Sequence, residues 1–203
     1  MIHFNVKLKV VACIFVLLII STSNASAQST KKLSYLFSNG ISEITYSRAY
    51  SRLFKTGFNV GAGVEHPFAE NIFGQIQFDL HFFSLDRKTL SLYQYSGSGI
   101  IIYSFSANIK IILPAGKAVT PYFTEGIGFS MHDFKDVYYF GELYCRRHRE
   151  TPLTLYFGLG FEIPFTKRIN LFTEIKYVVI FTTDESTQYI PFKIGFCINP
   201  RDH

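Results

Sequence analysis

The chain of 203 residues has a net charge of +5 and contains 17% charged, 48% hydrophobic and 17% aromatic residues. The charged fraction is below the roughly 25% of typical soluble domains, and the aromatic set consists of 22 Phe and 13 Tyr without Trp. If Lys7 and Lys9 are removed with the N-terminal export signal described below, the net charge falls from +5 to +3. This charge is too small to indicate a nucleic-acid partner.

The N-terminus has the three parts of a cleavable export signal in their usual order. Lys7 and Lys9 supply the positive start, and Val10–Ile20 is an unbroken apolar run. This run of about 11 residues is shorter than the roughly 20 that a membrane-spanning helix needs. Ala25-Ser26-Ala27 then gives the small-x-small pattern of a cleavage site, so the sequence predicts a signal peptide over residues 1–27.

The remaining residues 28–203 are predicted to form one all-β domain. They contain runs of about 10 to 14 residues in which apolar and polar side chains alternate, which is the period of a strand with two unlike faces. The first run, Leu33–Tyr46, is interrupted by Asn39-Gly40 and is interpreted as a bent or bulged strand. The other seven are Thr56–His66, Ile72–Phe83, Ile100–Leu113, Val119–Met131, Leu153–Pro164, Ile169–Phe181 and Tyr189–Ile198. Eight strands allow an antiparallel sheet to close up and down into a barrel.

The connections between these runs alternate in length along the chain. The short ones are Pro67–Asn71, Pro114–Ala118 and Phe165–Arg168, which contain Pro, Gly, Asn or Lys at turn positions. The longer ones are Ser47–Lys55, Leu85–Gly99, His132–Pro152 and Thr182–Gln188. This alternation predicts that one end of the barrel carries short turns and the other end carries longer loops, as in bacterial outer-membrane barrels.

Alternation alone does not distinguish a soluble barrel, apolar inside, from a membrane barrel, apolar outside. The kind of polar residue does, because Gly, Ser, Asn and Thr suit the crowded interior of eight strands, whereas a water-facing wall would carry long Lys and Glu side chains. In the stretch FNVGAGVE (Phe58–Glu65), we therefore expect the side chains of Phe58, Val60 and Val64 to face the lipid. The interior then receives Asn59, Gly61, Gly63 and Glu65.

Three stretches of the sequence resemble one protein family: TGFNVGAGVEHPFAENIFGQIQF, PYFTEGIGFS and LFTEIKYVVIFTTDESTQYIPFKIGF. Their Gly-alternating strand, Asn-containing turn and final Tyr-x-Pro-x-Lys-x-Gly strand are similar to those of the outer membrane protein β-barrel domain family of small porin-like barrels. The resemblance spans roughly Thr56–Phe196. It implies an eight-stranded antiparallel transmembrane barrel in the bacterial outer membrane, inserted by the barrel insertion machinery.

The function expected on this basis is a structural or surface-interaction role in the outer membrane, with at most a narrow pore. We expect a monomer surrounded by outer-membrane lipid, with no nucleic-acid partner and no enzymatic activity. Two alternatives stand beside it. The first is a soluble periplasmic barrel that binds an apolar ligand inside, and the second is a barrel enzyme that modifies outer-membrane lipid.

Charged residues of both signs are predicted to point into the barrel. These are Glu65, Asp79, His81, Lys110, Glu162, Glu174, Lys176 and Lys193. Since buried charges must be paired, they are predicted to form either an interior ion-pair plug or a narrow ion path. Eight strands leave an interior that side chains just fill, without a channel of porin width.

Two groups of residues have the composition of a catalytic site. One comprises Asp79, His81 and Ser84, and the other comprises Ser130, His132 and Asp133. Sequence spacing does not establish the contact between nucleophile and base that catalysis needs. Hydrogen-bonded structural histidines are the alternative, and we expect no catalytic site.

The stretch CRRHRE places Arg146, Arg147 and Arg149 in a predicted outer loop. Guanidinium groups bind phosphates in bidentate geometry, so the loop is predicted either to contact anionic lipopolysaccharide or to be solvated without a specific partner. Cys145 in that loop and Cys197 near the other end of the barrel are expected not to pair, since a disulfide needs Cα atoms within about 7 Å.

No cofactor and no metal are expected, because a Gly-rich phosphate loop, a Cys-x-x-Cys pair and metal-ligand spacing are all missing from the sequence. Glu125 does not fit the predicted pattern. In the register that exposes Phe123, Ile127 and Phe129 to lipid, its carboxylate faces lipid as well.

Overall fold

The computed structural model describes residues 33–46, 54–86, 95–97, 99–114, 118–134, 137–145, 148–182 and 186–200. The predicted signal peptide over residues 1–27 lies outside this part of the chain. Regular structure in the described residues is entirely β. The strands are β1 (Ser34–Tyr46), β2 (Gly57–Pro67), β3 (Ile72–Phe83), β4 (Tyr95–Gly97), β5 (Ile100–Ile112), β6 (Thr120–Phe134), β7 (Val137–Tyr139), β8 (Glu142–Cys145), β9 (His148–Glu150), β10 (Leu153–Pro164), β11 (Ile169–Phe181) and β12 (Ser186–Ile198).

Eight long antiparallel strands form a closed barrel. Their order is β10-β11-β12-β1-β2-β3-β5-β6, and β6 pairs with β10 to close the sheet. The termini of the barrel meet because β1 pairs with β12 from Tyr35↔Ile198 onward. A closed barrel leaves no strand edge unpaired, which is the condition that a bilayer imposes on strands.

The two ends of the barrel differ as the sequence predicts. At one end, here called the turn end, β2–β3, β5–β6 and β10–β11 are joined by short connections, and β1 begins and β12 ends. The backbone of the turn between β10 and β11 is fixed by hydrogen bonds that Phe165 and Thr166 donate to the carbonyl of Ile169. The opposite end, here called the loop end, carries the longer connections.

Of the eight barrel strands, three have the predicted bounds, three (β1, β2 and β5) differ by one residue at one or both ends, and two (β6 and β12) are longer than predicted by three residues at one end. The predicted bounds of β3, β10 and β11 are those observed. The interruption predicted at Asn39-Gly40 is wrong, because both residues pair in continuous register with β12 and β2. The register with β12 shifts instead between Ile44 and Tyr46.

The longest loops contain short strands that the sequence pattern does not predict. β4, β7 and β8 form a separate three-stranded sheet, and β9 pairs with an extension of β6 that includes His132. The turn between β7 and β8 has positive φ at both central residues, 50° at Phe140 and 84° at Gly141. This is the backbone that a two-residue hairpin requires.

The apolar faces of the eight barrel strands point outward, as predicted. Phe58 is 51% exposed and Phe105 is 53% exposed, whereas the neighbouring inward residues Asn59 and Ser104 are buried. Side chains that lie outward on other strands include Ile76, Phe78, Leu159, Phe161, Ile175 and Phe192. Among the described residues there is no helix long and apolar enough to cross a membrane.

Candidate functional site

The barrel interior contains a buried ion triad near the turn end. The ammonium of Lys110 on β5 lies 3.0 Å from Oε2 of Glu65 on β2 and also pairs with Oε1 of Glu162 on β10. Its Nζ also lies 4.8 Å from the ring centroid of Tyr122. The lysine thus bridges two carboxylates from distant strands, and each charge has an opposite partner, as burial requires.

A chain of amide groups connects this triad to a second ion pair in the middle of the barrel. Gln75 donates to Oε2 of Glu65 at 2.7 Å, and Gln77 donates to Gln75 at 3.2 Å. Lys176 donates to Oε1 of Gln77 at 2.7 Å and lies 3.1 Å from Oε1 of Glu174. The inward alternation of β3 places both glutamines inside, but their bridging role depends on the register between strands and was not predicted.

A third ion pair joins Lys193 on β12 to Asp79 on β3, with Nζ 2.7 Å from Oδ1. Gly61 lies against this pair, since a Cβ there would overlap the Asp79 carboxylate. An interior space of about 10 Å³ adjoins the pair and Glu174. A space of this size has room for about one water molecule, so side chains fill the barrel here.

A layer of hydroxyl groups lies between the ion pairs and the loop end. Its centre is His81, whose Nδ1 is 2.9 Å from the Ser42 hydroxyl and whose Nε2 is 3.3 Å from the Tyr189 hydroxyl. The Tyr189 hydroxyl lies 3.3 Å from Ser104, which is 3.0 Å from Ser130. His81 is therefore a hydrogen-bonded interior residue, and it belongs to this layer rather than to an ion pair.

Apolar side chains close the interior at the loop end. We call this group the loop-end cluster, and it consists of Ile44, Phe83, Ile100, Ile102, Tyr156, Val178, Ile180 and Tyr189. A smaller turn-end cluster lies beside the ion triad and consists of Leu36, Tyr122, Phe172 and Cys197. The alternation pattern predicts small polar residues and charges along the inner face, whereas the structure also has apolar side chains inside at both ends of the barrel.

The two groups with the composition of a catalytic site have different surroundings in the structure. Ser84 follows β3 at an exposed position, whereas His81 points inward and contacts Ser42 and Tyr189. In the second group Ser130 contacts Ser104 and accepts a hydrogen bond from Thr154 at 2.8 Å. His132 was predicted to begin a loop but lies inward on β6.

The remaining predicted residues are distributed over both ends. Arg146 and Arg147 lie outside the described residues, and the backbone of Arg149 lies in β9 opposite Asp133. Cys145 lies in β8 of the loop sheet, whereas Cys197 has a free thiol buried at the turn end. No group of three His, Cys, Asp or Glu side chains within the described ranges could hold a metal ion.

A closed eight-stranded barrel with an apolar outer wall and a filled polar interior is a small transmembrane β-barrel. Residues 13–196 match the outer membrane protein beta-barrel domain, and the chain belongs to this family. The protein is accordingly a barrel of the bacterial outer membrane. The alternative of a soluble periplasmic barrel, with its apolar face inside, is wrong.

Solved structures give the same fold. Neisserial surface protein A matches with a TM-score of 0.62 at 12% identity, over 83% of this chain and 97% of that chain. Ail, the attachment invasion locus protein of Yersinia pestis, matches with a TM-score of 0.52 at 12% identity, over 84% of this chain and all of that chain. No curated protein matches the sequence.

Proposed function

We propose that the protein is a non-conducting surface protein of the outer membrane, which makes its contacts through its loops and not through its interior. The observation that carries this proposal is the loop-end cluster, in which Ile102, Ile180 and Tyr189 are almost completely buried. An ion that entered from outside would have to pass this apolar layer before it reached the interior ion pairs. The interior charges then act as the predicted ion-pair plug.

The loop end offers surface for such contacts. On the β7–β8 hairpin Tyr138, Tyr139 and Phe140 are exposed, and the rings of Tyr139 and Phe140 pack edge to face with centroids 4.6 Å apart. Exposed aromatic side chains supply large contact area at low conformational cost. Closure of the barrel without an unpaired edge supports a monomer, inserted by the barrel insertion machinery.

Conductance in planar bilayers tests the sealed interior. The full chain should give no steady current above that of the bare bilayer. A variant in which Ile102 and Ile180 are both replaced by Gly, checked for folding by its unboiled electrophoretic band, should conduct because the apolar layer is opened. A steady current through the unaltered protein would contradict the proposal.

We also propose that the arginines of the outer loop contact the phosphates of lipopolysaccharide. Support comes from the chemistry of Arg146, Arg147 and Arg149, since the guanidinium group matches phosphate in bidentate geometry. Replacing Arg146 and Arg147 by Ala should weaken retention of lipopolysaccharide by about two- to fivefold for each residue, as expected for exposed ion pairs. The matched control removes the same charge at the turn end, from Lys167 and Arg168, and should leave retention unchanged.

We further propose that the protein has no enzymatic activity on lipid. Ser42 and His81 are within hydrogen-bond distance, as a nucleophile and its base would be. Both, however, are buried among the hydroxyl layer below the loop-end cluster. Replacing His81 by Gln should therefore lower the stability of the protein. The membrane lipids of cells that contain the variant should be chemically the same as those of cells that contain the unaltered protein. A lipid modification that the variant fails to produce would support the enzyme alternative.

A further inference from the structure

The outer wall of the barrel contains a groove of about 430 Å³ on the side formed by β2, β3, β5, β6 and β10. We call it the wall groove. Gly74 and Ala107 lie along it, where the outer face lacks a large side chain. Phe68 covers Gly74, since a Cβ there would overlap the Phe68 ring, and Leu155 and Phe157 line the opposite side. The groove therefore interrupts an otherwise bulky apolar wall.

Among the residues that line the wall groove, Glu125 carries a carboxylate. Its cross-strand partners are Ile109 on β5 and Phe157 on β10, and all three residues line the wall groove. In the described part of the chain, no hydrogen bond or ion pair involves the Glu125 carboxylate. An unpaired carboxylate among apolar groups is unfavourable. A hydrogen-bonding partner from the bilayer would therefore stabilise the Glu125 carboxylate.

The register between strands gives the wall groove a direction. His66, Gly74, Ile109 and Glu125 occupy one row of directly paired residues across four strands. Three strand spacings separate His66 from Glu125, a distance of about 14 Å along the sheet. His66 is near the turn end, one residue before the end of β2. The wall groove thus leads from the turn-end rim into the apolar wall and has the carboxylate at its inner part.

From this geometry we propose that the wall groove binds a membrane amphiphile that has an alkyl chain and a cationic amine. The alkyl chain fills the apolar groove, whose volume is within the range of ligand sites. The ammonium group donates a charge-assisted hydrogen bond to Glu125. A concave groove fits a chain better than the convex wall of a second barrel, which could not reach its floor. The site is independent of the loop contacts proposed above.

Tryptophan fluorescence can test this proposal, because the chain has no Trp of its own. A single Trp replaces Phe157, which lines the wall groove, and a control Trp replaces Phe192, which faces outward on β12 and does not line it. Each full-chain variant is placed in phosphatidylcholine bilayers. It is titrated with a spin-labelled alkyl amine and with the spin-labelled alkyl carboxylic acid of the same length, both of which quench Trp on contact.

The amine should quench the Phe157→Trp reporter at a concentration about tenfold below that of the acid, as expected for one charge-assisted hydrogen bond. Glu125→Gln in that background should remove the difference while the apolar chain still binds. Ala107→Phe should weaken quenching by both probes, because the new ring fills the groove. All variants must give the folded, unboiled band.

Three results would overturn the proposal. The first is equal quenching by amine and acid at Phe157→Trp, which would mean that Glu125 selects nothing. The second is the same amine preference at Phe192→Trp, which would mean general enrichment of the amine at the barrel surface. The third is a preference that survives Glu125→Gln.

Discussion

The inner and outer faces of the same strands follow different rules for charge. Inside, Lys110 has two carboxylate partners, and Lys176 and Lys193 have one each. Outside, Glu125 lies between Ile109 and Phe157 and, among the described residues, makes no hydrogen bond or ion pair. The protein thus pairs the lysines that it buries with carboxylates of its own. The exception on the outer wall therefore points to a partner from the surroundings.

The largest effect should come from breaking the ion triad. Lys110→Met leaves two buried carboxylates without a cation, and we expect the free energy of unfolding to fall by about 3–5 kcal/mol. Urea unfolding in phospholipid vesicles, followed by the unboiled band, measures it. Adding Glu65→Gln and Glu162→Gln to Lys110→Met should restore most of the loss, and failure to do so would mean that packing, not charge, is responsible.

The next effect contrasts the two faces of β11 directly. Ile180→Ala removes a fully buried side chain from the loop-end cluster, and should lower the free energy of unfolding by about 2–4 kcal/mol. Ile175→Ala, which removes the same atoms from the lipid-facing side, should cost about 1 kcal/mol. Equal losses in the same vesicle assay would show that lipid packing matters as much as the interior cluster.

A smaller decrease in the free energy of unfolding should follow when the Asp79–Lys193 pair is crowded by a new side chain. Gly61→Ala introduces a methyl group where the Asp79 carboxylate lies, and we expect a loss of about 1–3 kcal/mol from overpacking. Ala62→Val, at the neighbouring outward position, should change the free energy of unfolding by less than about 0.5 kcal/mol. If both substitutions had the same effect, the strand itself would be the sensitive element.

The smallest expected effect is an increase, not a decrease, in the free energy of unfolding. Glu125→Leu replaces the unpaired carboxylate by an apolar group, and should raise the free energy of unfolding in pure phosphatidylcholine vesicles by about 1 kcal/mol. Glu43→Leu, on the outer face near the loop end, serves as the control and should give less. A destabilising Glu125→Leu would indicate that the carboxylate already has a stabilising contact.

The strand pattern was predictable where alternation was continuous and turn residues bounded it, as in β3 between Asn71 and Ser84. It misled at Gly40, where glycine is needed for a different reason. A Cβ there would overlap the carbonyl of Phe192 on β12, so Gly40 permits close approach of two strands without breaking their register. Such an approach depends on a strand about 150 residues away, which local sequence does not describe.

The inward positions of the charged residues followed from the same alternation, but their partners did not. Lys176 donates to Gln77, which lies 99 positions earlier in the chain, and this contact depends on how far the strands are staggered around the barrel. The loop-end cluster was missed because Ile100-Ile101-Ile102 and Val178-Val179-Ile180 do not alternate in polarity. In both stretches an interior apolar residue is indistinguishable from a lipid-facing one.

The pairing of β1 with β12 has a consequence for the time course of folding. The last strand supplies the hydrogen bonds that the first strand needs, and Ser34 donates to Asn199 at 2.7 Å across the same seam, a sequence separation of 165 residues. Contacts this distant in sequence slow folding. Until the seam forms, β1 presents an open edge that can pair with another chain. The protein is therefore most exposed to misassembly just before its final strand arrives.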